Sequence, residues 1–149
     1  LKLSNLGAEL LVNTIEGVIT KKIKSFKQEK NNEYNLAPKL TSENTRIDWN
    51  LSVQKIISKI KGLSPRPGAW TMIKNGDDEV RMKILKAEEK VDYSSNKKHG
   101  NIFTENGELL IFNSSGITNC IIIQLENKRK MHAKELINGF KFHENSYVY

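Results

Sequence analysis

The apolar residues in the first nineteen positions recur at helical spacing. They are Leu3, Leu6, Leu10, Leu11, Ile15, Val18 and Ile19. This i, i+3, i+4, i+7 pattern predicts an amphipathic helix over residues 1–19, with a stripe that one helix cannot bury alone. The next stretch, residues 20–50, is rich in lysine, asparagine and serine without sustained periodicity, which is typical of a linker. Within it, we expect Thr41 to cap a helical turn, and Ile47 and Trp49 to anchor the linker to the following domain.

A second helix is predicted over residues 52–63. Its apolar face consists of Val53, Ile56, Ile57, Ile60 and Leu63, while Lys55, Lys59 and Lys61 face solvent. Ser52 is the better candidate for its N-cap, Asp48 is a second one, and Gly62 is expected to stop it.

After residue 68 the apolar period changes from 3.6 to 2. The alternation predicts five short strands, near residues 69–73, 79–89, 101–104, 108–113 and 117–125. Asn75-Gly76 and Asn106-Gly107 are hairpin signals, and a polar loop is expected over residues 92–100. With a short helix over residues 133–140, the pattern predicts an α+β fold built on a small closed or nearly closed barrel, or on a sandwich.

Composition limits the class of protein. The 149 residues are 38% hydrophobic and 28% charged, as expected for a soluble globular chain. No apolar run reaches the roughly 20 residues that span a bilayer. Cys120, the single cysteine, lies in an apolar run, so we expect a buried thiol, no internal disulfide and a reducing compartment. A start at Leu1-Lys2, without methionine, indicates a piece of something longer.

The net charge of +7 leaves two interpretations open. A polyanion is a natural partner, since phosphate contacts with lysine and arginine release counterions. A merely solubilising surface is the other interpretation, and the charge alone favours it. The charge alone does not identify RNA as the binding partner.

Catalytic chemistry is not indicated anywhere in the sequence. His99, His132 and His143 are scattered, without partners at metal-ligand spacing. No phosphate-cradling glycine loop and no nucleophile elbow occurs. We therefore predict no catalytic, cofactor or metal site in these residues.

Several motifs in series carry a family resemblance. They are Ala37-Pro38-Lys39-Leu40-Thr41, Arg46-Ile47-Asp48-Trp49, Gly62-Leu63-Ser64-Pro65-Arg66-Pro67-Gly68-Ala69-Trp70, and the flanks Leu6-Gly7-Ala8-Glu9-Leu10-Leu11 and Lys128-Arg129-Lys130-Met131 with Glu135-Leu136-Ile137-Asn138-Gly139. In order and spacing they resemble the linker and C-terminal domain of methionyl-tRNA formyltransferases. Arg66 departs from the pattern, because the family usually has tryptophan between the two prolines.

The resemblance implies an organisation. Residues 1–19 would be the last helix of a missing formyltransferase catalytic domain, residues 20–50 a basic linker, and residues 51–149 a C-terminal OB-like, tRNA-binding barrel of about five strands flanked by helices.

The resemblance also implies a function. The family transfers formyl from 10-formyltetrahydrofolate to methionine on initiator methionyl-tRNA in translation initiation, and its catalytic residues lie in the N-terminal catalytic domain that this chain lacks. We therefore expect the chain to bind the tRNA backbone without sequence specificity, to hold no cofactor and to be inactive alone. The parent is expected to be a cytoplasmic monomer without membrane contact.

Ten basic residues are the candidates for phosphate contact. They are Lys21, Lys22, Lys24, Lys27, Lys30, Lys39, Arg66, Lys128, Arg129 and Lys130. For the last three, a solvated loop is the competing interpretation, and Arg66 has the alternative of capping a turn. Trp49 and Trp70 are expected in the core rather than as base-stacking platforms.

Two other functions stay open. The chain fits the C-terminal domain of another folate-dependent formyltransferase, acting for example on a nucleotide-sugar. It also fits a structural interaction domain in which the first helix docks a partner.

Overall fold

The computed structural model describes residues 2–27, 37–90 and 98–149. It divides into two compact units, Leu1–Pro38 and Lys39–Tyr149. In the first unit, helix α1 spans Lys2–Ile19 and confirms the predicted helix, with its apolar stripe exposed. In the described part of the chain, no helix combines the length and the apolar character that a bilayer crossing needs.

The described residues of the second unit form an antiparallel sheet and three helices. Its elements are α2 (Ser42–Thr45), α3 (Val53–Leu63), β1 (Ala69–Asn75), β2 (Asp78–Lys90), β3 (Ile102–Glu105), β4 (Glu108–Asn113), β5 (Gly116–Leu125), β6 (Met131–His132), α4 (Ala133–Gly139) and β7 (Tyr147–Val148). The strand order is β3-β4-β5-β2-β1-β7, and β6 pairs with β5.

All five predicted strands are present, but the described residues form seven strands, so the predicted count was wrong. The two additional strands, β6 and β7, have two residues each, which is too short to show an alternating pattern. The expected polar loop after β2 lies mostly outside the described residues.

The short strand β7 brings the two ends of the sheet together. It pairs Val148 with Ile73 of β1, while its Val148 N–H donates to Gly100 O at 2.8 Å. One step earlier, Ile102 N–H donates to Ser146 O at 2.9 Å. The sheet is therefore a nearly closed barrel, and the predicted α+β class is confirmed. The OB-like topology stays a prediction.

Helix α3 packs on β2 and β5 with its predicted apolar face. Ile56 and Ile60 on this face are fully buried in the core. Ile47 and Trp49 are also buried, as predicted, and Trp49 Nε1 donates to Thr71 Oγ1 at 2.9 Å. Cys120 is buried too, and this burial raises the pKa of its thiol to about 12.

Ser52 occupies the predicted N-cap position of α3, whereas the capping role expected of Asp48 and the stop expected at Gly62 were wrong. Ser52 precedes the helix but its side chain makes no capping bond; instead Val53 N–H donates to Ser115 Oγ at 3.0 Å. Asp48 Oδ1 accepts from the backbone and side chain of Asn50, so it closes a turn. Gly62 lies inside the last turn of the helix. The Thr41 cap of α2 is confirmed, in a reciprocal capping box with Asn44.

Candidate nucleic-acid interface

The segment after α3, residues 64–68, will be called the proline loop, and it packs on the outer side of β2. Gly68 has φ +85° and its N–H donates to Leu63 O at 2.9 Å. A Cβ at Gly68 would lie 3.2 Å from Leu85 Cδ2 and 3.3 Å from Lys83 Cδ. Because of this close approach, the loop lies directly over β2 with Arg66 exposed to solvent.

A second segment, residues 126–130, will be called the basic loop. The chain turns at Asn127, whose φ of +58° is one that asparagine tolerates. Lys128 N–H donates to Leu125 O at 3.1 Å, and Gln124 Nε2 donates to Lys128 O at 2.9 Å. Strand β6 then pairs back onto β5, which holds the loop beside the sheet.

The two loops line one open groove of about 450 Å³. Its floor is apolar, formed by Pro65, Leu85, Ile122 and Met131. Its rim is polar and consists of Ser64, Lys86, Arg129, Lys130, His132 and Glu135. The structure thus brings Arg129 and Lys130 together with the loop that carries Arg66.

An irregularity in β2 supplies two of the groove residues. The β2–β5 register shifts around Lys86, and Ile84 and Ala87 on either side of the shift are buried. Leu85 and Lys86 therefore both reach the outer face, although strict alternation would send one of them inward. Lys86 pairs with Ile122 across the strands.

Two further cations continue this surface along β2. Arg81 and Lys83 line a smaller hollow of about 240 Å³, whose walls include Gln124 and Glu126. Lys83 lies beside the proline loop, since its Cδ is 3.3 Å from the position that a Cβ at Gly68 would take. We call the combined set the basic face: Arg66, Arg81, Lys83, Lys86, Arg129 and Lys130. Arg81, Lys83 and Lys86 were not among the candidates predicted from the sequence. The alternation that buries Met82 and Ile84 already indicated that Arg81 and Lys83 lie on the outer face.

Glu135 offsets part of the charge on this face. Its Oε2 lies 2.7 Å from Arg129 Nη2, and its Oε1 accepts from His132 N–H at 3.2 Å. The backbone N–H of His132, followed by Arg129, lowers the pKa of the Glu135 carboxyl, which is therefore ionised at neutral pH. Among the described carboxylates, none forms an ion pair with Lys86 or Lys130, so these two ammonium groups carry the uncompensated charge of the rim.

The other predicted residues lie elsewhere. Lys21, Lys22, Lys24 and Lys27 are exposed in the first unit, just after α1, whereas Lys30 lies outside the described residues. Lys39 is exposed, and its carbonyl accepts from Asn44 Nδ2 at 2.8 Å, which fixes the backbone at that position. Lys128 is exposed in the basic loop.

The two tryptophans differ. Trp49 is in the core as predicted, but Trp70 is only half-buried and lies on the outer side of β1. Its Nε1 donates to Ser42 O at 2.8 Å, and the guanidiniums of Arg81 and Arg46 lie 3.9 and 5.4 Å from its ring centroid. Two arginines already cover its ring, which leaves little of it for a base.

The chemistry that these residues support is anion binding. In residues 2–27, 37–90 and 98–149, no three His, Cys, Asp or Glu side chains gather closely enough to hold a metal. The one thiol, that of Cys120, is buried with a raised pKa and is therefore protonated and inert.

Comparison with known proteins identifies relatives. The family model described as formyl transferase, C-terminal domain, matches residues 39–141. The chain is 32% identical over 148 residues to methionyl-tRNA formyltransferase of Flavobacterium johnsoniae, covering 99% of this chain and 47% of that protein. It is 36% identical over 147 residues to methionyl-tRNA formyltransferase of Thermodesulfovibrio yellowstonii, covering 96% and 44%. The chain thus spans about half the length of the curated relatives it matches.

Solved structures share the fold. HypX from Aquifex aeolicus, in a multiply substituted variant, matches with a TM-score of 0.56 at 18% identity, covering 91% of this chain and 24% of that one. HypX in complex with tetrahydrofolic acid matches with a TM-score of 0.55, covering 89% and 22%.

Proposed function

The chain belongs to the formyl transferase family, of which it is a C-terminal portion, and on this basis we propose that it binds the sugar-phosphate backbone of initiator methionyl-tRNA. The parent enzyme would transfer formyl from 10-formyltetrahydrofolate to the methionine carried by that tRNA, as a cytoplasmic monomer. The catalytic groups and the folate site would lie in the rest of the parent, so this chain alone would be inactive.

The proposed division follows the chain. Residues 1–19 would complete the catalytic domain, residues 20–50 would form a basic linker, and residues 51–149 would hold the RNA. Phosphate contacts position a nucleic acid without reading its sequence. Holding the tRNA beside a separate catalytic domain makes the transfer effectively intramolecular, which removes much of the entropic barrier.

One observation carries the proposal: five cations line the two hollows beside β2, namely Arg81, Lys83, Lys86, Arg129 and Lys130, and the adjoining proline loop carries the exposed Arg66. Glu126 and Glu135 are the acidic residues that line the same two hollows. An extended polyanion fits such a face better than a small anion does, because the cations are spread over two separate hollows. The linker lysines, Lys39 and Lys128 remain proposed additional contacts.

Binding of initiator tRNA as a function of salt tests the proposal. Each phosphate contact contributes about 0.7–0.9 to the slope of log K against log salt. The double variant Lys86→Ala, Lys130→Ala should reduce that slope by about 1.5 and weaken binding roughly tenfold near 0.1 M salt. Filter binding or fluorescence anisotropy with labelled tRNA measures both quantities.

The control is Lys55→Ala, Lys141→Ala, which removes the same two charges from exposed positions outside the groove. This variant should keep the wild-type slope to within a few tenths. If both double variants lose the same affinity, net charge rather than the basic face explains binding. If the wild-type chain fails to bind tRNA at low salt, the better interpretation is that the chain belongs to a formyltransferase that acts on a different substrate.

A further inference from the structure

The groove between the proline loop and the basic loop contains more than phosphate binding requires. Backbone contacts need only cations, yet Leu85, Ile122 and Met131 are half-buried and Pro65 is exposed along the groove floor. Apolar surface left in water is unfavourable, and a ligand with a flat apolar face would cover it. The β2 irregularity turns Lys86 outward beside Leu85 and so produces this combination directly.

The cations on the rim of the groove favour a ligand with negative charge. Lys86 and Lys130 are exposed without a carboxylate partner in the described part of the chain, so they attract an anion. Arg129 Nη2 donates to Glu135 Oε2 at 2.7 Å, and the guanidinium carries further N–H groups beyond this bond. Ser64, His132 and the Glu135 carboxylate add hydrogen-bonding groups of both kinds beside the floor.

A flat ring joined to an anionic group is the chemistry of a nucleotide whose base is not paired. Single-stranded nucleic acids are bound by a cationic track together with side chains, most often aromatic, that cover the faces of the bases. In this groove the covering side chains are aliphatic. A paired base in a helix keeps its faces stacked on its neighbours, so a duplex presents only its phosphates to such a groove.

We propose that this groove binds one unpaired nucleotide of the RNA, with the base on the floor formed by Leu85, Ile122, Met131 and Pro65 and its phosphate on Lys86 and Lys130. The proposal rests on the proposed RNA-binding function and adds a base-dependent contact to it. The contact is not sequence-specific, because the floor is apolar and accepts the face of any base.

Oligonucleotides that differ only in their bases test the proposal. Anisotropy would compare an eight-residue oligouridylate with an abasic oligomer of the same length and backbone charge. The wild-type chain should bind the base-bearing oligomer roughly five- to tenfold more tightly, as covering an apolar side chain predicts. In Leu85→Ser this ratio should fall to about one to two, since the serine cannot cover the base.

Leu11→Ser is the matched control, because it makes the same change at an exposed leucine in α1, outside the groove. It should leave the ratio at the wild-type value. Circular dichroism would check that each variant is folded. If Leu85→Ser does not fold, an experiment on the wild-type chain decides. An oligouridylate that contains one 4-thiouridine is bound to the chain and cross-linked by ultraviolet light. The cross-linked peptides should contain Leu85 or Met131.

The outcomes separate the two levels of the proposal. Absence of tRNA binding at low salt would refute the RNA-binding function and the nucleotide site together. Salt-dependent tRNA binding combined with equal affinity for base-bearing and abasic oligomers would refute the nucleotide site alone. Cross-links confined to residues outside the groove would refute it as well.

Discussion

The guanidinium of Arg81 lies 3.9 Å from the centroid of the Trp70 ring, on the outer face of the β1–β2 hairpin. The same indole donates its Nε1–H to Ser42 O at 2.8 Å, and Arg81 Nη2 lies 3.3 Å from Ser42 Oγ. The pair therefore attaches α2, and with it the segment that precedes α3, to the sheet. Trp70 therefore has a structural role: it holds α2 against the surface of the sheet.

Substituting Trp70 separates the ring contact from the hydrogen bond. Trp70→Leu removes both and should lower the free energy of unfolding by about 2–3 kcal/mol. Trp70→Phe keeps an aromatic face for Arg81 and loses only the N–H, so about 1 kcal/mol is expected. Urea denaturation followed by far-UV circular dichroism measures both values. Equal losses in the two variants would show that the stacking of Arg81 contributes nothing.

The start of α3 depends on a hydroxyl from a distant turn. Ser115 Oγ accepts from Val53 N–H at 3.0 Å, whereas Ser52 at the N-cap position makes no capping bond with its side chain. Ser115→Ala should therefore cost about 1 kcal/mol of stability, the usual value of an N-terminal cap. Ser52→Ala serves as the control and should cost no more than a few tenths. The opposite ranking in thermal unfolding would contradict the assignment of the cap.

The cap of α3 illustrates what the sequence could predict. Apolar spacing located α3 and the five long strands because a buried face repeats at a fixed period. It favoured Ser52 as the cap because that residue is adjacent in the chain, but the acceptor comes from a residue 62 positions away. Contacts of this kind become visible only when the chain is folded.

The candidate site was predictable in part for the same reason. Motif spacing selected Arg66 and the basic loop, and alternation placed Arg81 and Lys83 outside. The irregularity at Leu85 and Lys86 was not predictable, since a one-residue shift in register leaves no periodic signal. Strict alternation with the buried Met82 and Ile84 already turns Leu85 outward; the shift in register turns Lys86 outward as well, which puts the two side chains together on the groove.

Closure of the barrel depends on a glycine beside β7. Gly100 has φ +85°, and a Cβ there would lie 2.5 Å from Val148 O. Val148 belongs to β7, the strand that closes the barrel. Gly100→Ala should therefore destabilise the protein by about 3 kcal/mol, through strain at positive φ and displacement of β7.

Gly62 provides the matched control for this substitution. It lies inside α3 with no heavy atom within 4 Å of its ideal Cβ position. Gly62→Ala should stabilise the protein by about 0.5–1 kcal/mol, because alanine loses less backbone entropy in a helix. Denaturation midpoints that shift in the same direction for both substitutions would refute the steric role of Gly100.

A titration at high pH tests the contact between Tyr149 and Glu79. The hydrogen bond to the Glu79 carboxylate is the largest of the effects that raise the pKa of the Tyr149 hydroxyl, and the same bond lowers the pKa of the Glu79 carboxyl. A phenol whose pKa is raised in the folded state stabilises that state fully below its unfolded pKa of about 10 and loses this contribution as pH rises through the folded value. Wild type should therefore be more stable than Tyr149→Phe at pH 8, and the difference should diminish above pH 10. Absorbance at 295 nm, compared between wild type and Tyr149→Phe, gives the titration of the Tyr149 hydroxyl as the difference. We expect its pKa to lie above the ordinary value for tyrosine. A normal or lowered pKa would mean that the hydroxyl does not bond to Glu79 in solution.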